Sequence, residues 1–273
     1  MANAAAPIVK WAGGKSKLVP ALIARLPARW HRYFEPFAGG AALFFRLAPP
    51  RAVLGDVNAD LIATYRALAA DPDDVIRGLQ RHVRAHGEPH YYDVRARWND
   101  RTAWSAARTA AAFIYLNKTC FNGLWRVNRA GHFNVPMGRY ARPTICEPAA
   151  LHAAHAVLQR AELRAGDFRA TLADAGRGDV CYLDPPYMPV SATASFTTYA
   201  ATGFSFEHQQ ALAATARELV ARGVHVILSN SDVPAVRALY KGFHIEEVRV
   251  ARSINANAAR RGAVNELIIT GAR

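Results

Sequence analysis

Short apolar runs alternate with amphipathic helical segments along much of the sequence. Residues 51–68 begin as an apolar run that ends at Asp56, and apolar residues then recur at helical spacing from Leu61 to Leu68. The same rhythm recurs in residues 32–47, 179–187 and 207–232. Such alternation predicts an α/β fold with a mostly parallel sheet that helices cover on both faces. In sheets of this kind, ligands bind beyond the carboxyl ends of the strands.

Residues 62–146 interrupt this rhythm. They are rich in Arg, His, Trp and Tyr, and the helical segment 105–118 has no strand beside it. Residues 120–140 contain an Asn-Gly pair and an alternating pattern, which are typical of a hairpin or a structured loop. We therefore expect 62–146 to be an inserted helical lobe with one hairpin. Residues 1–61 and 147–273 would then form a discontinuous α/β core.

The charge of the chain favours a polyanionic partner. Its formal net charge is +13, from 34 Lys and Arg against 21 Asp and Glu, which makes nucleic acid the first candidate. Cys120, Cys146 and Cys181 are too dispersed for a disulfide framework or a zinc site. The ten histidines show no metal-ligand spacing, and no apolar run reaches membrane-spanning length. We expect a cytoplasmic protein with no metal and no membrane contact.

Two glycine pairs are candidate ligand sites. WAGGKSKL, residues 11–18, has the Gly-Lys-Ser end of a phosphate-binding loop, but Val9 stands where that loop needs its first glycine. In FEPFAGGAALFF, Gly39 and Gly40 lie where a strand turns into a helix, so that backbone can approach a ligand there. Asp56 ends the next strand and is suited to accept ribose hydroxyls. The alternative is that Asp56 only caps the following helix.

The segment LDPPY, residues 183–187, carries the strongest chemical signal. A strand delivers Asp184 to the sheet edge, and two prolines without N–H groups leave backbone carbonyls to accept from outside. Asp184 and the Pro185 carbonyl could accept both hydrogens of an adenine amine and so localise its lone pair. Stacking on Tyr187 would add ~1–3 kcal/mol. The alternative is a plain proline turn with Asp184 as a cap.

Six segments, in this order, resemble the Dam-type DNA adenine-N6 methyltransferases. They are KWAGGK (10–15), FEPFAGGAALF (34–44), DVNADLI (56–62), FNGLWRVNRAGHFNVPMGRY (121–140), GDF (166–168) and DPPYMPVSATASFTTY (184–199). The resemblance covers essentially the whole chain and departs at Ala41, where many members have a further glycine. It implies a Rossmann-like core with an inserted DNA-recognition lobe, and S-adenosylmethionine as the methyl donor.

The resemblance also implies a cofactor site. It assigns cofactor contacts to Trp11, Ala12, Gly13, Lys15, Glu35, Pro36, Phe37, Gly39, Gly40, Asp56, Asp167, Phe168 and Asp184. Lys15 would face the methionine carboxylate, while Asp56 would take the ribose hydroxyls. Asp167 and Phe168 would bracket the adenine ring of the cofactor. The product would be S-adenosylhomocysteine.

For double-stranded DNA, the resemblance implies a second set of residues. The set is Lys10, Phe121, Asn122, Leu124, Arg126, Asn128, Pro136, Arg139, Arg260 and Arg261. Phe121 and Asn122 would fill the space left by an extruded base, and Arg126 would contact a guanine through O6 and N7. Leu124 and Pro136 suit a thymine methyl group. Hairpin packing for those two, and a solvated side chain for Arg126, are the alternatives.

The predicted reaction is a direct in-line methyl transfer to an extruded adenine. Asp184, Pro185, Pro186 and Tyr187 would carry it, with no covalent enzyme intermediate and no metal. The resemblance implies a short palindromic site, GATC or a related or longer one, read by a monomer or a homodimer on DNA. A cytosine-N4 methyltransferase and a DNA-binding regulator without catalysis are the alternatives, and RNA is a weaker candidate substrate.

Overall fold

A computed structural model describes residues 5–189, 204–251 and 263–272. Its strands are β1 (Tyr33–Glu35), β2 (Ala52–Asp56), β3 (Ala161–Ala165), β4 (Val180–Leu183), β5 (His225–Ser231), β6 (His244–Ala251) and β7 (Ala263–Gly271). They form a seven-stranded sheet in the order β3-β2-β1-β4-β5-β7-β6. The β2-β1-β4-β5 pairs are parallel, whereas β7 is antiparallel to both of its neighbours. The predicted α/β class with a mostly parallel sheet is confirmed.

Helices connect most of these strands. They are α1 (Val19–Ile23), α2 (Ala42–Leu47), α3 (Ala59–Ala70), α4 (Pro72–Ala85), α5 (Glu88–Asn99), α6 (Ala106–Thr119), α7 (Pro148–Leu158), α8 (Phe168–Leu172), α9 (Phe206–Ala221) and α10 (Pro234–Leu239). Short polar side chains fix several of the starts. Asn58 accepts from the Leu61 N–H, Asp71 from the Asp74 N–H and Ser105 from the Arg108 N–H. No helix in the described ranges has the length and apolar character that crossing a membrane requires.

The chain divides into two compact units. The first comprises Met1–Lys15, Ala38–Pro50 and Gly55–Gly166, and the second comprises Ser16–Phe37, Arg51–Leu54 and Asp167–Arg273. In the second unit, α9 and the strands β4 and β5 enclose a core of fully buried aliphatic side chains that includes Leu183, Leu212 and Leu228. Leu183, the last residue of β4, belongs to this core, and Asp184 follows it directly in sequence.

The first unit is mainly helical, with α6 at its centre against α3, α4 and α5. An aromatic cluster joins α5 and α6 to the segment that follows them, because Trp125 lies 3.9 Å from Phe113 and 4.5 Å from Phe133 between ring centroids. Trp98 meets Trp125 edge to face. Residues 120–140 are therefore anchored by the packing of two rings, those of half-buried Trp125 and of buried Phe133. That the DNA-recognition domain runs from 62 to 146 stays a prediction.

Residues 120–140, which we call the recognition loop after the role predicted for them, contain little regular structure. A single 3-10 turn covers Phe121–Gly123, and antiparallel bridges join Cys120 to Met137 and Val127 to Phe133. The pairing is thus hairpin-like in direction but does not extend into continuous strands. The close packing of the aromatic cluster, rather than a backbone ladder, gives this loop its shape.

Candidate active site

Strand β4 is buried along its whole length and delivers Asp184 at its carboxyl end. The Ser229 hydroxyl, on the neighbouring strand β5, donates to Oδ1 of Asp184 at 3.0 Å. The Tyr182 hydroxyl lies 2.9 Å from the same Ser229 oxygen. The Asp184 carboxylate is therefore oriented by a buried hydroxyl pair.

The backbone that follows, residues 184–189, is here called the DPPY loop. The Pro186 carbonyl accepts from Nε2 of Gln209 at 2.8 Å, and Asn230 donates to Oε1 of that same Gln209 at 3.2 Å. The Met188 N–H donates to Oδ1 of Asn230, and the Ser231 hydroxyl donates to the Met188 carbonyl at 2.6 Å. One of the two proline carbonyls expected to accept from outside thus has a partner within its own unit. The other, that of Pro185, stays the predicted acceptor.

Tyr187 is fixed through its hydroxyl. That hydroxyl donates to Oε2 of Glu266 at 2.9 Å, and Glu266 is only 7% exposed on β7. Burial, with the nearby charges of Asp184 and Glu266, holds the pKa of the Tyr187 phenol well above its usual value. The phenol therefore stays protonated and keeps donating, which holds the ring in one orientation.

Asp56 ends β2 in the first unit and binds the glycine turn. Its Oδ2 accepts from the Gly39 N–H at 2.9 Å and its Oδ1 from the Asn58 N–H at 2.8 Å. Burial raises the pKa of Asp56, and these two N–H groups partly offset that rise. The cap of α3 is Asn58, so the alternative that Asp56 serves only as a helix cap is wrong. An exposed apolar neighbour, Val57, follows at 83% exposure.

The glycine turn is closely packed against Trp11. Gly39 has φ +47°, and a Cβ atom there would lie 2.6 Å from Cδ1 of Trp11, so the position requires glycine. The Gly39 carbonyl accepts from the Tyr65 hydroxyl at 2.6 Å. Ala41 also has positive φ, +51°, which explains in backbone terms why a glycine suits this position.

Other predicted cofactor residues have partners within their own units. Nζ of Lys15 donates to the Gly13 carbonyl at 2.6 Å, and buried Glu35 accepts from the Tyr33 hydroxyl at 2.7 Å. Asp167 is exposed and caps α8. Phe168 is 3% exposed and packs at 5.5 Å on Phe37. Roles for these residues, and for Ala12, Pro36 and Gly40, stay predictions.

The predicted DNA-contacting side chains are mostly exposed. They are Lys10, Phe121, Asn122, Leu124, Arg126, Asn128, Pro136 and Arg139. Nε of Arg126 donates to Asn134 at 3.1 Å, which supports the guanidinium at the surface. Oδ1 of Asn128 accepts from the N–H groups of Ala130 and His132, so this side chain supports its own turn. Arg260 and Arg261 lie outside the described residues.

Comparison with known proteins decides the family. Residues 11–254 match the family described as D12 class N6 adenine-specific DNA methyltransferase. The chain belongs to this family. It is therefore an adenine-specific DNA methyltransferase, and its family implies S-adenosylmethionine as methyl donor and DNA as substrate. The cytosine-N4 alternative is not supported.

Three relatives illustrate the match. The chain is 39% identical to a type II methyltransferase, M1.LlaDCHI, from Lactococcus lactis subsp. cremoris, over 97% of this chain and 94% of that protein. It is 37% identical to a DNA adenine methylase from Vibrio cholerae serotype O1, over 95% of this chain and 94% of that protein. A DNA N-6-adenine-methyltransferase from Escherichia phage P1 is 37% identical over 96% of this chain and 35% of that longer protein.

Sequence reasoning missed the residues that hold the DPPY loop. They are Gln209, Ser229, Asn230, Ser231 and Glu266. The polar run Ser229–Ser231, at the end of an otherwise apolar strand, was an available signal. Gln209 and Glu266 gave none, because single polar residues on a helix and on a strand are ordinary surface features. Across residues 5–189, 204–251 and 263–272, no group of three or more His, Cys, Asp or Glu side chains is placed to hold a metal ion.

Proposed function

We propose that this methyltransferase acts on an adenine rotated out of duplex DNA, within a short palindromic site such as GATC or a related one. The observation that carries the proposal is the DPPY loop. Its carboxylate, Asp184, lies at the end of β4 and is oriented by Ser229, while the Tyr187 ring beside it is held by Glu266. A carboxylate, a proline carbonyl and an aromatic face suit a flat base with an amino group.

The chain's residues would act by orienting the amine. Asp184 and the Pro185 carbonyl each accept one hydrogen of N6, which draws the nitrogen toward tetrahedral geometry and localises its lone pair. The donor, when bound, supplies an electrophilic methyl group on a sulfonium. Methylation of N6 would release one proton, which the Asp184 carboxylate would be placed to accept, and the donor would leave as a neutral thioether. Holding the two atoms in line contributes several kcal/mol of rate acceleration.

The hydrogen bonds that Asp56 accepts support the cofactor assignment. A buried carboxylate that already accepts two backbone N–H groups has lone pairs that suit ribose hydroxyls as further donors. The predicted contacts of Lys15, Asp167 and Phe168 complete the assignment, with the Lys15 ammonium suited to a carboxylate. No metal enters this scheme.

DNA recognition rests on the recognition loop and on Lys10. Leu124, Arg126 and Pro136 are exposed there, and a bidentate arginine contact with guanine contributes ~1–3 kcal/mol of discrimination. Phe121, 50% exposed, is suited to fill the stack after extrusion, which costs a few kcal/mol. The charge of +13 supports binding to phosphates, weakening as salt rises.

A methyl-transfer assay tests the proposal. The full chain, labelled S-adenosylmethionine and a duplex with one GATC site should give N6-methyladenine on nucleoside analysis. Asp184→Ala should lose this product, while Asp100→Ala, an exposed surface aspartate, should keep it. Sequencing of methylated adenines from expressing cells identifies the site. Normal turnover by Asp184→Ala, or methylation without a common palindrome, would contradict the proposal.

A further inference from the structure

Asn117 is a fully buried asparagine on α6 whose carboxamide spans two distant segments. The Lys10 N–H donates to Oδ1 of Asn117 at 2.7 Å, and Nδ2 donates back to the Lys10 carbonyl at 2.7 Å. The same Nδ2 also donates to the Gly123 carbonyl at 3.3 Å. One side chain thus satisfies both backbone groups of Lys10 and one backbone group of the 121–123 turn, all inside the first unit.

Lys10 and this turn are also in direct contact. Gly123 has φ +64°, and a Cβ atom there would lie 2.4 Å from Cβ of Lys10, so only glycine permits the approach. The Lys10 ammonium lies 3.7 Å from the centre of the Tyr140 ring and donates to the Lys118 carbonyl at 3.2 Å. Lys10 is therefore fixed from its backbone to its charged tip, although the tip is exposed.

The residue that follows links this arrangement to the cofactor turn. Trp11 packs directly on Gly39, whose N–H is held by Asp56. Displacement of Lys10 would be transmitted to Trp11, its chain neighbour. Asn117 is consequently the buried side chain that ties the segment carrying Lys10 and Trp11 to the turn carrying Phe121 and Asn122.

We propose that Asn117 is a positioning residue for site recognition: it holds Lys10 on Gly123, so that the base pair contacted by Lys10 is read only while this clamp is intact. The inference rests on the proposed function, which assigns Lys10 and the turn to DNA. Asn117 touches no substrate itself. Its effect passes through Lys10.

Asn99 offers a matched control. The Phe133 N–H donates to its Oδ1 at 2.8 Å, and its Nδ2 donates back to the Phe133 carbonyl at 3.1 Å. Asn99 thus makes the same two hydrogen bonds to one residue's backbone as Asn117 does. The residue that it holds is Phe133, in the recognition loop, rather than Lys10. A loss of discrimination caused by general loosening of this loop should appear in both asparagine variants. A loss of discrimination transmitted by Lys10 should appear only in the Asn117 variant.

The test is a double-mutant cycle on Asn117→Ala and Lys10→Ala, with Asn99→Ala beside it. Single-turnover rates are measured on an unmethylated duplex with the recognition site. They are also measured on duplexes in which the guanine pair at the edge of that site, toward which the resemblance points Lys10, is replaced. All rates are taken below each variant's unfolding temperature. We expect Asn117→Ala and Lys10→Ala each to lower discrimination at that pair about tenfold, ~1.4 kcal/mol, with no further loss in the double variant. Asn99→Ala should keep discrimination at that base pair, because the hydrogen bonds of Asn117 to Lys10 are intact in this variant.

Each other outcome overturns the inference in a recognisable way. If Lys10→Ala keeps full discrimination, the assignment of Lys10 to DNA fails, and the role of Asn117 fails with it. If Lys10→Ala loses discrimination but Asn117→Ala keeps it, or if the two losses add, the proposed function stands and only the clamp is wrong. Should Asn117→Ala not fold, Asn117→Asp is used, since it keeps an acceptor for the Lys10 N–H and replaces the Nδ2 donor to the Lys10 and Gly123 carbonyls by an oxygen. The same loss of discrimination is expected from it.

Discussion

The DPPY loop and the recognition loop are held in place by different means. Buried side chains from β5, α9 and β7 hold the DPPY loop, and they are Ser229, Asn230, Ser231, Gln209 and Glu266. The recognition loop is held by ring packing, by short backbone bridges and by the two asparagine clamps. The prolines explain part of this difference, because they remove the N–H groups that a backbone ladder would use.

Under the proposed function, this difference corresponds to two tasks. Hydrogen bonds with Ser229 and Glu266 fix Asp184 and Tyr187, as the proposed chemistry on one amine requires. The recognition loop leaves its outer side chains exposed, and Phe121, Leu124 and Val127 are 50%, 37% and 50% exposed. Exposed apolar side chains in a loop that also carries the exposed Arg126, Arg129 and Arg139 suit contact with bases. We therefore expect changes in the DPPY loop to act on the rate of transfer and changes in the recognition loop to act on DNA selection.

The largest effect should come from Asp184→Ala. Removing the acceptor should abolish methyl transfer, because N6 then lacks the carboxylate that orients it. Cofactor and duplex affinity should stay within about tenfold, ~1.4 kcal/mol, of the parent. Single-turnover transfer and equilibrium binding measure the two effects separately. Equal losses of duplex affinity and transfer rate would contradict the expectation that changes in the DPPY loop act on the rate of transfer.

Arg126→Ala should show the opposite pattern. Discrimination at one guanine should fall about ten- to hundredfold, because a bidentate contact contributes ~1–3 kcal/mol. The maximal rate on saturating cognate duplex should change little. Rates on a panel of single-base-pair variants of the site provide the measurement. A uniform loss across the panel would instead assign Arg126 to phosphate contact.

Ser229→Ala should lower the maximal rate about tenfold while the KM for DNA changes little. The hydroxyl that orients Asp184 is lost, and the lower end of the roughly 1.5–3 kcal/mol that a hydrogen bond to a charged group contributes corresponds to this factor. Ser105→Ala is the control, since it removes only the cap of α6 and should cost stability without affecting the rate. A change in KM alone would place Ser229 outside the catalytic geometry.

The smallest effect concerns the acid stability of α4, the helix that carries His82 and packs on α6. Burial, together with the charges of His90, Arg81 and Arg108, lowers the pKa of His82 to about 4 from its ordinary 6.5. The unfolded chain binds this proton first as pH falls, so stability is lost between pH 6.5 and about 4, by a few kcal/mol at most. Urea unfolding at pH 7 and pH 5 should show a smaller loss for His82→Gln than for the parent. Exposed His132→Gln serves as control, and equal losses in all three proteins would contradict this account.

Local patterns predicted much of the fold and part of the site. Asp56 and Asp184 could be placed at strand ends because an apolar run stops directly before each. The partners of the DPPY loop could not be predicted, since Gln209 and Glu266 are distant from it in sequence and reach Pro186 and Tyr187 only in the folded chain. Asn117 sits in a helical pattern that gives no sign of its bond to Lys10, 107 residues away. The alternating pattern of residues 120–140 predicted antiparallel pairing of the backbone, but it did not show that this pairing is limited to isolated bridges.

A structure of the protein with the demethylated cofactor product and a duplex that carries the recognition site with an unmethylated adenine tests the central claim most directly. The account predicts one adenine outside the helix, with its N6 atom within hydrogen-bond distance of both the Asp184 carboxylate and the Pro185 carbonyl, and its ring against Tyr187. An adenine still stacked in the duplex, or an N6 atom bound by other groups, would contradict it.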